Sequence, residues 1–162
     1  MLLTNGNACV IWFYIMRISL RTRYGLASLL CMAEKAQSEE RITIISLSEK
    51  LKISKIYLEQ VFALLRRGGL VISAKGAQGG YNLARPARHI TAYDVLSATE
   101  TSLFEKAEET VADESIEKTL RDTVFDPLDN SLKETLSRIT LEDMVNQSAV
   151  YMDGEYYMYY GI

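Results

Sequence analysis

The sequence predicts a mainly α protein with one small β-hairpin, and three observations predict it. Apolar residues recur at helical spacing along most of the chain. A glycine-rich stretch separates two short β-prone runs. The charge divides into a basic N-terminal half and an acidic C-terminal half. The 162 residues, 48% of them hydrophobic, suffice for one compact domain with an appendage. Residues 1–92 carry 13 Lys and Arg against 5 Asp and Glu, a balance of +8. Residues 93–162 carry 5 against 16, a balance of −11. The first half suits a polyanionic partner, and the second suits a different contact or solvated helix faces.

Residues 1–15, MLLTNGNACVIWFYI, differ from the rest and are expected to be a non-native or disordered extension. Their apolar run is too short to cross a bilayer and lacks the flanks of a secretory signal. From Thr22, the residues Leu26, Leu29, Leu30 and Ala33 predict a first helix to about Ala36. Thr43 can cap a short second helix carrying Ile44, Leu47 and Leu51, and Lys52-Ile53 makes a turn. Ser54 can cap a third helix, on which Leu58, Val61, Phe62 and Leu65 form a buried stripe at i, i+3, i+4 and i+7. Gly68-Gly69 ends it.

Leu70 to Ala74 and Tyr81 to Leu83 read as two short strands. Between them SAKGAQGGY holds three glycines and a lysine in nine residues. It is not a nucleotide-binding loop, because Lys75 precedes Gly76 and no helix start follows Gly80. It reads as a hairpin tip, where glycine supplies the φ angles of a tight connection. Two short helices, a third helix and a hairpin are the element order of a winged helix-turn-helix, whose third helix enters the DNA major groove.

Beyond Pro86, Thr91 can cap a short helix over Tyr93 to Leu96, and an acidic stretch runs from Glu100 to Glu117. Ile116, Leu120, Val124, Leu128, Leu132 and Leu136 recur every four residues, a stripe suited to pairing with another helix at an oblique crossing. Pro127 should kink this run or end one helix there. Thr140 to Asp143 has capping-box form and should start one last short helix. Five of the ten tyrosines lie in the tail, residues 151–162. The expected organisation is a winged helix-turn-helix DNA-binding domain over 16–90, a helical dimerisation and regulatory region over 91–150, and the tyrosine-rich tail.

Cys9, Cys31 and the single histidine, His89, cannot build a disulfide framework, a zinc site or a nucleophile-base pair, so no enzyme, metal or cofactor is expected. This cysteine usage fits a reducing cytoplasm, and nothing suggests a membrane.

The segments MRISLRTRYGLASL, ISKIYLEQVFALLRRGGLVISAKGAQGGYNLARP, ITAYDVLSATE and ITLEDM resemble the Rrf-type family of bacterial winged-helix repressors. The resemblance covers Met16 to Glu100, with echoes through Met144. It implies a homodimer bound to a palindromic operator on double-stranded DNA. Many members sense through an iron–sulfur cluster held by three cysteines after the wing, but Leu96 to Leu120 contains none. The chain is similar to cluster-free members that control cysteine metabolism together with a cysteine synthase, so sulfur or cysteine metabolism and such a co-regulator are implied. It departs from them in the acidic insert and in Pro127.

The resemblance places DNA contacts at Ser54, Lys55, Tyr57, Glu59 and Gln60 on the third helix and at Lys75, Gly76 and Gln78 on the wing. Gln60 can make the bidentate contact to adenine that its amide allows. Glu59 either accepts from a cytosine amine or repels phosphates. Tyr57 either touches the DNA backbone or packs under its helix. Lys75 can enter the minor groove, with less shape selectivity than an arginine. Arg17, Arg21, Arg23 and Arg66, with Arg67, are candidate phosphate contacts. Cys31 reads as a small buried hydrophobe. An alternative is a winged-helix adaptor acting mainly through protein contacts, with the tyrosine tail as its docking element.

Overall fold

Five threonine and serine caps fix where the chain turns into helix. In the computed structural model, which describes residues 18–35, 42–74, 79–100 and 113–160, helix α1 spans Leu20–Glu34, α2 Ile44–Leu51 and α3 Lys55–Arg67. Ser19 caps α1 by accepting from the Thr22 N–H, two residues earlier than the apolar spacing suggests. Thr43 and Ser46 make a reciprocal capping box at α2, and Ser54 Oγ accepts from the Tyr57 N–H at the start of α3. Lys52 takes a left-handed φ of 56° to make the sharp turn between α2 and α3. The residue pair Gly68-Gly69 closes α3, with Gly69 at φ 68°.

Strand β1 (Val71–Ala74) pairs antiparallel with β2 (Gly80–Leu83), with Val71 opposite Leu83 and Ser73 opposite Tyr81. Ile42 adds a bridge to the far side of β2, exchanging backbone hydrogen bonds with Tyr81. The Tyr81 ring packs on Phe62 at 4.6 Å between centroids, which seats the hairpin on α3.

A short 3₁₀ turn (Ala87–His89) leads to α4 (Ala92–Thr99). Helix α5 (Glu114–Leu120) runs through a π-helical segment (Arg121–Phe125) into α6 (Asp126–Ser137), and α7 spans Leu141–Tyr160. Pro127 falls in the first turn of α6, directly after the π segment, so the helical run continues through it with a wider turn just before the residue that lacks an N–H. The preceding Asp126 N–H bonds to the Arg121 carbonyl, five residues back. The capping box at Thr140 and Asp143 forms as its spacing suggests, but α7 is 20 residues long and not short. Met144 and Val145 pack its first turns against the core, while Val150 and Tyr151 are exposed. Thr91 and Asp94 form the same box at α4, and the two helix starts are joined. Ala92 N–H donates to the Ile139 carbonyl, and Leu141 N–H to that of Ile90.

One core unites α1 to α4, the hairpin and the start of α7, and α5, the π segment and α6 contribute no residue to it. Leu29, Leu58, Val61, Phe62, Leu65, Ile90, Val95 and Leu141 are all fully buried. Full burial of each such side chain contributes about 1.5–3 kcal/mol before entropy is counted. The stripe on α3 is thus the centre of the molecule. Cys31 belongs to this core as a buried thiol. The N-terminal extension, the tail side chains beyond Tyr151, and Arg17, Lys75, Gly76, Gln78 and residues 101–112 of the acidic insert lie outside the described residues.

Candidate nucleic-acid interface

Burying one side of α3 leaves the other side whole. At about 100° per residue, Lys55, Ile56, Glu59, Gln60, Ala63, Arg66 and Arg67, all exposed, fall within one arc of about 140°. No acidic residue occupies the first turn, so the helix's partial positive end is not neutralised from within. Ser54 serves as the cap acceptor, which leaves its hydroxyl proton free to donate outward.

Lys55 Nζ lies 4.0 Å from Glu59 Oε1, with both side chains more than half exposed. Such a surface pair is worth little and opens readily. It softens the repulsion between Glu59 and phosphates without fixing which of its two roles the residue takes. Tyr57 is half-buried against the core, with its ring 5.4 Å from Tyr24 at 82°, an edge-to-face pair that locks the first turn of α3 to α1. Packing accounts for its position. Arg66 and Arg67 sit in the last turn of α3, where they also answer the helix's negative end.

Arg21 and Arg23 are exposed on α1. Arg21 is not an independent cation, because its charge acts on the Glu100 carboxylate. Glu100 is the residue that sequence reasoning missed. Its carboxylate accepts from the Ser19 N–H at 2.5 Å and from the Thr22 hydroxyl at 3.0 Å. The Thr22 hydroxyl lies 2.6 Å from that of Thr99, which also lies 2.8 Å from the Val95 carbonyl. Two hydroxyl protons therefore serve three short contacts. Burial pushes the Glu100 carboxyl up, but the Ser19 and Thr22 hydrogen bonds and the Arg21 charge outweigh it and hold the pKa below its ordinary value. The signal in the sequence was two threonines at inward positions of two helices.

At the base of the wing, Arg85 bonds Asp94 at 2.7 Å, and its Nε–H donates to the His89 carbonyl. Burial raises the Asp94 pKa, and the Thr91 backbone N–H, Arg85 and the Thr91 hydroxyl together bring it below its ordinary value. The hairpin is held to α4 in this way.

A helix-turn-helix whose third helix is anchored by its buried stripe, followed by a seated wing, defines a DNA-binding transcriptional regulator of the winged-helix class. The family model described as "Rrf2: Iron-dependent Transcriptional regulator" matches residues 18–147. The chain belongs to the Rrf2 family. It is 35% identical over 147 residues to the HTH-type transcriptional regulator CymR of Bacillus subtilis (strain 168), covering 90% of this chain and 99% of that protein. It is 32% identical over 136 residues to the HTH-type transcriptional regulator IscR of Pectobacterium carotovorum subsp. carotovorum (strain PC1), covering 83% and 82% of the two chains. The solved structure of CymR from B. subtilis, described as its global cysteine regulator, superposes with a TM-score of 0.65 at 29% identity. That match covers 82% of this chain and 98% of the other.

The donor set does not fit a cysteine-ligated iron cluster. The only cysteines are Cys9 and Cys31, and Cys31 is buried in the core. Among the described residues no group of three or more His, Cys, Asp or Glu is placed to hold a metal ion. No helix among the described residues is long and apolar enough to cross a membrane.

Proposed function

We propose that this chain acts as a homodimeric repressor that binds a palindromic operator and blocks transcription by occupying it. The exposed arc of α3, held rigidly by the four fully buried residues of its opposite face, carries this reading. Gln60 and Lys55 lie on that arc, and a rigid helix holds them at fixed spacing for base edges. On the wing, Lys75, Gly76 and Gln78 are the proposed backbone and minor-groove contacts.

The homodimer rests on α5, the π segment and α6. Ile116, Val124 and Leu128 are about half exposed, and every residue from 121 to 130 is exposed. A helical run whose apolar stripe stays largely exposed along Ile116, Val124 and Leu128 gains little from its own packing there, and a second copy would cover it. Leu120, Leu132 and Leu136 complete the proposed seam. Control of cysteine or sulfur metabolism is supported by the near full-length similarity to CymR, and a cysteine synthase is the proposed protein co-regulator.

The test is a titration of the full chain with promoter DNA of cysteine-metabolism genes at several salt concentrations. A specific complex weakens steeply as salt rises, through counterion release. Replacing Gln60 and Lys75 by alanine should abolish selective binding while the protein stays folded. Equal affinity for random duplex, or no salt dependence, would rule out the proposal.

A further inference from the structure

The outward face of α3 has an apolar centre. Lys55 and Glu59 line one border of the arc and Gln60 the other, while Ile56 and Ala63 lie between them. Ile56 is 72% exposed, more than any other large hydrophobic side chain among the described residues. It takes no part in the core, which the opposite face supplies. A solvated position in the first turns of a helix gains nothing from a β-branched hydrocarbon, which has lower helix propensity than Lys, Gln or Glu.

We infer that Ile56 is a specificity-determining residue that packs against the C5-methyl group of a thymine in the major groove. This rests on the DNA-reading role proposed above for α3. Thymine alone among the four unmodified bases shows a methyl group there, whereas the other edges offer donors and acceptors. An isoleucine set against those edges strips their water and returns no hydrogen bond, so it favours thymine and penalises the rest. Gln60 lies one turn further on, a rise of about 6 Å. The pair therefore reads an adenine and a thymine within a few base pairs of each other, with the small Ala63 leaving room beside them.

The experiment uses the full chain to select its preferred sites from a pool of random-sequence duplexes, in parallel with Ile56→Ala. The best duplex for the unaltered protein is then remade with deoxyuridine in place of each thymidine in turn, which removes one methyl group and nothing else. At one thymine per half-site the loss should be roughly fourfold in affinity, the transfer value of one buried methyl. That loss should disappear in Ile56→Ala, whose selected sites should relax at the same position and keep their adenine preference. If the chain selects a defined sequence but no deoxyuridine substitution weakens it, or Ile56→Ala suffers the same loss, the role of Ile56 is overturned and DNA reading stands. If the chain selects no sequence at all, the DNA-reading role falls and this inference with it. The deoxyuridine series is read on the unaltered protein, so a series without any loss overturns the role of Ile56 whether or not the variant folds.

Discussion

Lys52 and Gly69 both hold a left-handed backbone, with φ of 56° and 68°, and only one of them is a glycine. An L-residue in that region is disfavoured by about 1–2 kcal/mol. Lys52→Gly should therefore raise stability by up to about 1 kcal/mol, after the entropy that glycine loses on folding. Gly69→Ala should lower it by about 1 kcal/mol, since a Cβ there meets open space and only the backbone objects. Gly68→Ala should cost more, because its Cβ would stand 2.6 Å from that of Ala98 and push α3 from α4. Urea midpoints at constant slope would report all three. Glu100 and Asp94 act through protons. Their carboxyls titrate below the ordinary value in the folded chain, so their contribution is present above the unfolded pKa and is lost as pH falls through the folded one. Stability should therefore decline below about pH 4, and Glu100→Gln should flatten part of that decline in acid unfolding curves.

Caps are the devices by which this chain marks its elements, and each is worth about 1 kcal/mol. Thr91→Ala and Thr140→Ala should each lower the melting temperature by removing the acceptor for the Asp94 or Asp143 N–H. The loss should be no larger than an ordinary cap, because both helices keep their tertiary contacts. The caps at Thr43, Ser54, Thr91 and Thr140 were legible because a cap is written within three residues. So was the face that α3 buries, since Leu58, Val61, Phe62 and Leu65 state it by spacing alone. The Ser19 to Glu100 hydrogen bond spans 81 positions, and the pairing of Ile42 with Tyr81 is chosen by packing, so neither has a local signature. The length of α7 escaped for a related reason, because the tyrosine-rich tail reads as a change of composition while its backbone continues as helix. The π segment was equally hidden. A four-residue repeat overshoots each α-helical turn by about 40°, and a wider turn with i→i+5 bonding takes back part of that drift. Val124 and Leu128 are thereby kept nearer the line of Ile116 and Leu120.

For the whole molecule the proposed dimer sets the strongest expectation. Val124→Glu with Leu128→Glu places like charges on the seam, and sedimentation should show the dimer dissociating into monomers. Affinity for a palindromic duplex should fall steeply while affinity for a single half-site stays nearly constant, because the monomer keeps α3 and its wing. A variant that stays dimeric would move the interface elsewhere. The bridge between the starts of α4 and α7 gives this arrangement a further property. The chain enters α4 beside one hydrogen bond of that bridge, at Ala92, buries Val95 and Leu96 in the core, and comes back to it through the other, at Leu141. The chain after α4, from Glu100 to Leu141, is an excursion whose two ends are held by the core. Lengthening such an excursion adds only a slowly growing closure entropy and leaves its anchor points in place. The acidic stretch after Glu100 can therefore be lengthened or shortened while the joined starts of α4 and α7 stay in place.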